Sequence, residues 1–174
     1  KKLLVARDHS GQKPLYYAKT DRGIVFSSEL KTIVDSFFEN SEITINEMVV
    51  NSIYSNTYSL GEDQTFIHEV SKIKPAEKLS IINNKVSKGK YWSLSEIVKR
   101  DVTDPYVETL EKLRESVHLH LESDVPVAVL LSGGIDSSAI ACLAKEVCSE
   151  VHAITVGYEC KDFEGDEREL AARL

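Results

Sequence analysis

Two glycines, an acid and three hydroxyl side chains follow one another closely in the segment LLSGGIDSS, residues 130–138. Adjacent glycines let backbone amides approach phosphate oxygens without an intervening Cβ, and the hydroxyls of Ser132, Ser137 and Ser138 add further donors. The carboxylate of Asp136 would repel a phosphate unless a cation lies between them, and Mg²⁺ is commonly shared by phosphates and carboxylates. The segment therefore has the composition of a phosphate-binding turn that also holds a metal.

Three other interpretations of this segment compete with phosphate binding. A Walker A loop requires a lysine after its last glycine, and the sequence has none there. A serine nucleophile elbow requires a glycine two residues before the serine, where this sequence has Leu130. A plain strand-to-helix turn, with Asp136 or Ser137 as the helix N-cap, accounts for each residue separately. The two glycines alone favour this simplest interpretation.

The elements around the segment place it at the end of a parallel strand. Residues 125–131, VPVAVLL, are apolar apart from one proline, which is typical of a strand buried on both faces of a sheet. Helical patterns cover 106–121 and 137–147, and residues 151–157 predict a second strand, followed by a helix over 166–174. This alternation indicates a parallel α/β sheet, in which ligands bind beyond the carboxyl ends of the strands.

The first part of the chain is rich in strands. Three short apolar segments predict a meander: 3–8, 15–19 and 24–28. Helical patterns follow, one over 30–37 with Ser28 as its N-cap, and one over 46–54 with Met48, Val49 and Ile53 facing inward. Residues 78–92 predict a hairpin. The polar segment 95–104, which precedes a proline, predicts a boundary between two partial domains.

Composition limits the class of protein. The chain has 174 residues, of which 42% are hydrophobic and 28% charged, as in globular proteins. A formal net charge of −7 argues against a nucleic acid partner, and no apolar run is long enough to span a membrane. The three cysteines form no C-x-x-C pair, so we expect free thiols and a cytoplasmic location. Because the chain begins at Lys1 without a methionine, we expect an internal piece of a longer polypeptide.

Other residues with reactive side chains have simpler interpretations. Arg7 and Asp8 lie in the meander, where we expect them to form a structural ion pair. Cys142 lies on the helix after the glycines, and we expect a small, buried hydrophobic residue there, as we do for Cys148 and Cys160. None of these residues adds a second candidate site.

The whole string SGGIDS, residues 132–137, resembles the S-G-G-x-D-S pyrophosphate loop of the N-type ATP pyrophosphatases. The first part of the chain narrows the resemblance, because residues 6–17 (ARDHSGQKPLYY) and 25–33 (VFSSELKTI) are similar to the glutaminase domain of glutamine-hydrolysing asparagine synthetases. Residues 70–94 resemble the closing strands of that domain, I-x-x-L-P-P-G-H-x-L and R-Y-W-x-L. There, Ala76-Glu77-Lys78 stands in place of the family's Pro-Gly-His.

This resemblance implies both the fold and the site. The implied fold class is α/β, with the end of an αββα N-terminal-nucleophile glutaminase domain over 1–96. The start of a parallel-sheet ATP-pyrophosphatase domain follows over 97–174. The implied ATP- and pyrophosphate-binding residues are Ser132, Gly133, Gly134, Asp136 and Ser137, with Leu130 and Val156 in the adenine pocket and Mg²⁺ held at Asp136. The glutaminase nucleophile and the later synthetase residues are expected outside this chain.

The resemblance also implies an activity, which is the glutamine-hydrolysing, ATP-dependent amidation of aspartate to asparagine. The reaction would pass through an aspartyl-adenylate and release AMP and pyrophosphate. We expect small-molecule substrates (ATP, aspartate, and glutamine or ammonia), no nucleic acid and no membrane partner, with a homodimer as the candidate assembly. Two alternatives stay open: a paralogue of the β-lactam synthetase or peptide cyclase type that adenylates another carboxylate, and a nonenzymatic or inactive module.

Overall fold

A computed structural model describes residues 2–38, 43–55, 61, 63–83, 85–159 and 166–174. The chain divides into two compact units, Lys1–Lys99 and Arg100–Leu174, and each is described by itself. Cys160 lies outside the described residues.

Two three-stranded antiparallel sheets form the first unit. The strands are β1 (Lys2–Ala6), β2 (Tyr16–Thr20), β3 (Gly23–Ser27), β4 (Val70–Lys72), β5 (Glu77–Ile82) and β6 (Lys85–Lys90). One sheet has the order β1-β5-β6 and the other β3-β2-β4. The predicted hairpin is present as β5 and β6, and β2 pairs with β3, but the predicted meander is wrong at its first strand, because β1 pairs with β5 in the other sheet.

A hydrophobic core lies between the two sheets. Tyr17, Ile73 and Leu79 are buried there, and Phe26 and Val86 pack against them. Because β2 and β3 belong to one sheet while β5 and β6 belong to the other, these contacts hold the sheets face to face. A short 3-10 turn at Leu94–Glu96 follows the last strand.

Two helices complete the first unit. Helix α1 (Leu30–Phe37) buries Ile33 against Ala18 and Val70, on the other face of the β3-β2-β4 sheet. The described residues thus form a helix layer on two stacked sheets. Helix α2 (Glu47–Tyr54) begins at Asn46, whose side chain accepts a hydrogen bond from the Val49 amide. The mixed α/β fold class predicted from the sequence is confirmed.

Details of these two helices differ from the prediction. The N-cap of α1 is Glu29 rather than Ser28, and the Glu29 amide donates to the hydroxyl of Ser27. In α2, Val49 is buried and Ile53 half-buried, whereas Met48 is 74% exposed. Residues four apart share a helix face, so Val49 and Ile53 point inward together, while Met48 lies about 100° around the helix from Val49.

The turn before β5 explains one departure from the family pattern. Ala76 has a φ of +57°, in the left-handed region where glycine is favoured. Counted from Val70, the glycine of I-x-x-L-P-P-G-H falls on Ala76, so placing the family's glycine at Glu77 is wrong by one residue. Here an alanine adopts the conformation in which glycine is favoured.

The second unit alternates helices and strands as predicted. Its elements are α3 (Pro105–Leu121), β7 (Ala128–Leu130), α4 (Ile135–Val147), β8 (His152–Ile154) and α5 (Arg168–Ala171). Strands β7 and β8 are parallel, with Leu130 opposite Ile154. The core contains Val117 of α3 with Leu143 and Ala144 of α4, and Val129 packs against them.

The prediction that residues 125–131 are buried on both faces is wrong. Helices α3 and α4 both contribute to the core against Val129, whereas Leu130, on the opposite face of β7, is 73% exposed. Within the part of the chain that the structure describes, this second face of the β7-β8 sheet is open.

Candidate functional site

The candidate loop leaves β7 from a fixed point. The amide of Leu131 donates to the carbonyl of Ile154 at 2.9 Å, and the Thr155 hydroxyl donates to the Leu131 carbonyl at 2.8 Å. Leu131 is therefore held against the residues that follow β8. The chain then turns at Gly133, whose φ of +77° is strained for any residue with a side chain.

Helix α4 begins with a glycine as its N-cap. The first helical bond runs from the Ser138 amide to the Gly134 carbonyl at 3.0 Å, so the amides of residues 135–137 precede the helical ladder. Gly134 has no side chain that could cap these amides. Three N–H groups and the positive end of the helix dipole therefore meet at one place, an arrangement suited to an anion.

The prediction that Asp136 or Ser137 is the N-cap of this helix is wrong. These residues are the second and third of α4, and Gly134 holds the cap position in an extended conformation. The helix starts at Ile135, slightly earlier than predicted. Because Gly134 has no side chain, the amides of residues 135–137 are left without a side-chain cap.

The serine hydroxyls close the loop on itself. Ser137 Oγ accepts from the Ser132 amide at 3.2 Å and lies 3.0 Å from Ser132 Oγ. Ser132 Oγ accepts from the Gly134 amide at 3.3 Å, and Ser138 Oγ donates to the Gly134 carbonyl at 2.6 Å. The structure thus brings Ser132, Gly134 and Ser137 into one hydrogen-bonded cluster at the start of α4.

Asp136 is exposed in the first turn of the same helix. Among the described residues, no three His, Cys, Asp or Glu side chains lie together as a metal site. The chemistry of the donors fits Mg²⁺ only in its shared form, where one or two carboxylates and the phosphate oxygens of a bound ligand complete the coordination.

The two predicted adenine-pocket residues lie beside the loop. Leu130 immediately precedes Leu131 and is 73% exposed, and Val156, two residues beyond the end of β8, is 71% exposed. With Ile154, which lies opposite Leu130, they give the open face of the sheet an apolar surface next to the α4 amides. An apolar surface beside a set of anion-binding donors suits a purine attached to phosphates.

A separate cavity lies between α4 and the strands. Its volume is about 440 Å³, and Leu131, Ser138, Cys142 and Leu174 are among the residues that line it. Apart from Ser138, none of the residues considered for phosphate or adenine binding lines it, so it is not the candidate nucleotide site. Cys142 is exposed at this cavity, and the prediction of a buried residue there is wrong, because α4 turns that face away from Leu143 and Ala144 in the core.

Helix α5 supplies contacts that the sequence analysis missed. A Cβ built on Gly133 would lie 2.7 Å from Cγ of Leu170, so the Leu170 side chain occupies the space beside this glycine. The stem of Arg168 packs in the same way against Gly157. No motif marks these α5 residues in the sequence, and the only signal is that each opposing loop has a glycine.

Arg168 is held by its neighbours. Its Nη2 donates to the carbonyl of Tyr158 at 2.7 Å, and its Nε donates to the Asp166 carboxylate at 2.9 Å. The Arg168 guanidinium lowers the pKa of Asp166 to about 2. These donors are directed toward protein atoms rather than toward the loop at the start of α4.

Arg7 and Asp8, in the first unit, have a structural role but do not form the expected ion pair. Arg7 donates to the carbonyls of Gly11, Lys13 and Ile73 at 2.6, 2.8 and 2.9 Å. Asp8 accepts from the Lys13 amide at 3.0 Å and from the preceding amide at 2.8 Å, and these backbone N–H groups lower its pKa to about 2. Both side chains therefore fix the loop between β1 and β2.

Both units match models of known protein families. The family model described as "Glutamine amidotransferase domain" matches residues 1–92, and the model described as "Asparagine synthase" matches residues 108–174. The chain belongs to the glutamine-hydrolysing asparagine synthetase family. The resemblance found in the sequence is thereby confirmed.

Curated relatives are similar along most of the chain. Asparagine synthetase [glutamine-hydrolyzing] 3 of Bacillus subtilis is 31% identical over 92% of this chain and 27% of its own length. Asparagine synthetase [glutamine-hydrolyzing] 1 of the same organism is 31% identical over 99% of the chain and 27% of its own length. Amidase chry2 of Gibberella zeae is 32% identical over 85% of the chain and 22% of its own length.

This asparagine synthetase family member spans about a quarter of the length of the synthetases it matches. Glutamine-hydrolysing asparagine synthetases are ligases, and the family is one of glutamine-dependent amidation. Among the described helices, none combines the length and the apolar character that a membrane-spanning segment requires.

Proposed function

We propose that the whole protein is a glutamine-dependent asparagine synthetase. Residues 1–96 would belong to its glutaminase domain, and residues 97–174 would begin the domain that adenylates aspartate with ATP. The observation that carries this proposal is the start of α4, where a glycine N-cap leaves the amides of residues 135–137 uncapped beside the Ser132 hydroxyl.

The proposed reaction needs a site for a polyphosphate. The aspartate carboxylate attacks the α-phosphorus of ATP, the bond to the bridging oxygen breaks, and pyrophosphate leaves with the negative charge. Ammonia released from glutamine then attacks the activated carbonyl, and AMP leaves as asparagine forms. Donors held in place where charge develops stabilise the departing pyrophosphate, and this is the role proposed for the α4 amides, Ser132, Gly133, Gly134 and Ser137.

Asp136 and the open sheet face would complete the binding of ATP. Asp136 would hold Mg²⁺, which when bound supplies positive charge to the phosphates. Leu130 and Val156 would contact the adenine ring, since both are exposed apolar side chains on the face of the sheet next to the loop. The proposed partners are small molecules, with no nucleic acid and no membrane, and we propose a cytoplasmic protein that can form a homodimer.

Aspartate-dependent release of pyrophosphate tests this proposal. The full-length protein is incubated with ATP, Mg²⁺ and aspartate, with glutamine or with ammonia as the nitrogen source, and pyrophosphate, AMP and asparagine are measured. We expect the three products in equal amounts. If no pyrophosphate is released with either nitrogen source, the proposal is wrong.

A second candidate function is favoured by the relatives named amidases. In this version the same loop binds ATP, but the acceptor is a different carboxylate, as in enzymes of the β-lactam synthetase or peptide cyclase type. Pyrophosphate release that depends on another carboxylic acid, and not on aspartate, would support it. A protein that bound no ATP at all would instead be the nonenzymatic module.

A further inference from the structure

The loop after β7 lies directly against a side chain from α5. Cγ, Cβ and Cδ2 of Leu170 lie 2.7, 3.0 and 3.0 Å from the point where a Cβ on Gly133 would stand. The contact is therefore between the Leu170 side chain and the backbone of Gly133. No alternative backbone position on that side is open to the loop unless Leu170 moves.

Helix α5 is itself held against the loop that follows β8. The stem of Arg168 packs on Gly157, and its guanidinium donates to the Tyr158 carbonyl at 2.7 Å. The same short helix thus contacts the loops at the ends of β7 and β8, two strands that are parallel neighbours. Arg168 fixes where α5 lies, and Leu170 extends from it onto Gly133.

The position of Gly133 decides where the anion-binding amides point. Gly133 has a φ of +77°, and the next residue is the N-cap of α4. Glycine has more backbone freedom than any other residue type. A loop that turns at a glycine is therefore ordered by hydrogen bonds within the loop or by contacts with residues outside the loop. The Ser132–Ser137 cluster supplies the hydrogen bonds, and Leu170 supplies the contact from outside.

We propose that Leu170 is a positioning residue, which holds the loop at residues 132–134 in the conformation that binds the polyphosphate. This inference rests on the proposed function of the loop as a pyrophosphate site. The Leu170 side chain is 51% exposed, so it contributes little to the core of the unit, and it lies against the loop at Gly133. Arg168 acts one step further away, by docking α5.

Amide hydrogen exchange and ligand binding together test the role of Leu170. The full-length protein carries Leu170→Ala, Leu170→Met as the conservative variant, or Glu169→Ala as a control on an exposed neighbouring position of α5. Exchange of the Ser132 and Gly134 amides is measured without ligand. Binding of ATP and of inorganic pyrophosphate, each with Mg²⁺, is then measured by calorimetry, together with glutaminase activity.

We expect Leu170→Ala to speed exchange of the two amides and to weaken ATP and pyrophosphate binding about tenfold, since one residue of backbone must be ordered again on binding. Leu170→Met refills the same space, so its amide exchange and its affinities should stay close to those of the parent. Glu169→Ala should change neither the exchange nor the affinities. Glutaminase activity should be unchanged in all three variants, which a general loss of folding would not allow.

The outcomes separate this inference from the proposed function. If exchange of the Ser132 and Gly134 amides in Leu170→Ala equals that of the unchanged protein, Leu170 does not position the loop. If the exchange rises but neither the parent nor Leu170→Ala binds ATP or pyrophosphate, the proposed function is wrong. The functional role of the contact between Leu170 and Gly133 is then wrong as well. Unchanged affinity in Leu170→Ala, with normal binding by the parent, also overturns the inference.

A double substitution provides an independent check. Gly133→Ala should weaken binding both by strain at positive φ and by collision with Leu170. Leu170→Ala removes Cγ and Cδ2, and with them the closest part of this collision, so the pair should lose less affinity than the product of the two single losses. Simple multiplication of the single effects would show that the two residues are not coupled, contrary to the proposal.

Discussion

The hydroxyl oxygens of Ser132 and Ser137 lie 3.0 Å apart, which joins the first residue of the loop to the third residue of helix α4. Ser137 Oγ also accepts from the Ser132 amide at 3.2 Å, so a single side chain makes two contacts with the same residue. The strand-to-helix turn is closed by a side chain from within the helix rather than by a cap at its start.

The first prediction concerns this closure. Ser137→Ala removes both contacts, and we expect binding of ATP to weaken ten- to hundredfold, roughly the value of one or two hydrogen bonds. Calorimetric titration of the full-length protein with ATP and Mg²⁺ measures the change. Ser149→Ala, at an exposed position after the same helix, should bind like the parent. An unchanged affinity in Ser137→Ala would contradict a role for this hydroxyl.

The second prediction assigns Asp136 to the adenylation step. In the intact enzyme, Asp136→Ala should abolish ATP-dependent pyrophosphate release while the hydrolysis of glutamine continues, because the proposed role of this carboxylate is to hold Mg²⁺ beside the phosphates. Both activities are measured on the same preparation. Glu150→Ala, which also removes an exposed negative charge from this unit, serves as the control. An equal loss of both activities would instead show that Asp136 is needed for folding.

The third prediction compares two glycines of the first unit. Gly11 has a φ of +70°, and a Cβ there would lie 2.8 Å from Cγ of Pro75 and 3.1 Å from Cζ of Arg7. We expect Gly11→Ala to lower the free energy of unfolding by roughly 2–3 kcal/mol, from strain and collision together. Gly89 in β6 has no atom within 4 Å of a built Cβ, so Gly89→Ala should leave stability unchanged or raise it by about 0.5 kcal/mol.

Urea unfolding of the full-length protein, followed by fluorescence of Trp92 in the first unit, measures both changes. The two alanines differ only in the backbone conformation and the space available at each site. Equal effects of the two substitutions would therefore show that the loop at Gly11 adapts without cost.

The fourth prediction is a pH dependence at Asp8. Two backbone amides hold the pKa of this carboxyl at about 2 in the folded chain, below its ordinary value of 3.8. Because the folded pKa is the lower one, the stabilisation is fully present above about pH 4 and is lost as the pH falls toward 2. The melting temperature of the parent should therefore exceed that of Asp8→Asn at pH 6 and approach it near pH 2.

Asp21→Asn, on the exposed turn between β2 and β3, controls for the loss of one negative charge. A difference in melting temperature between the parent and Asp8→Asn that stayed constant from pH 6 to pH 2 would show that ionisation of Asp8 has no part in holding the loop.

Much of the architecture could be predicted from local patterns. The strands and helices appear close to their predicted positions because the alternation of apolar residues reports which side of each element is covered. The string from Ser132 to Ser137 also predicted a loop at the carboxyl end of a parallel strand, and the structure has the loop there. These features depend on residues near one another in the chain.

The features that could not be predicted depend on neighbours distant in sequence or on one torsion angle. Leu170 contacts Gly133 across 37 positions of the chain, and a leucine in a helical pattern gives no sign of its partner. The cap at Gly134 was missed because statistics favour a side chain that hydrogen-bonds, whereas a glycine has none. Likewise, the apolar character of residues 125–131 indicates a preference for burial, but it does not show which neighbouring element covers each face of the strand.

The arrangement of the first unit also affects the order in which the chain can fold. Strand β1 pairs with β5, with Lys2 opposite Ile82, and the Tyr91 hydroxyl donates to the Arg7 carbonyl across 84 positions of sequence. The second unit joins β7 to β8 across only 24 positions, as between Leu131 and Thr155. Closing long loops slows folding, so β1, which is synthesised before β5, must wait for that strand to leave the ribosome. The order of synthesis and the order of assembly therefore differ within this chain.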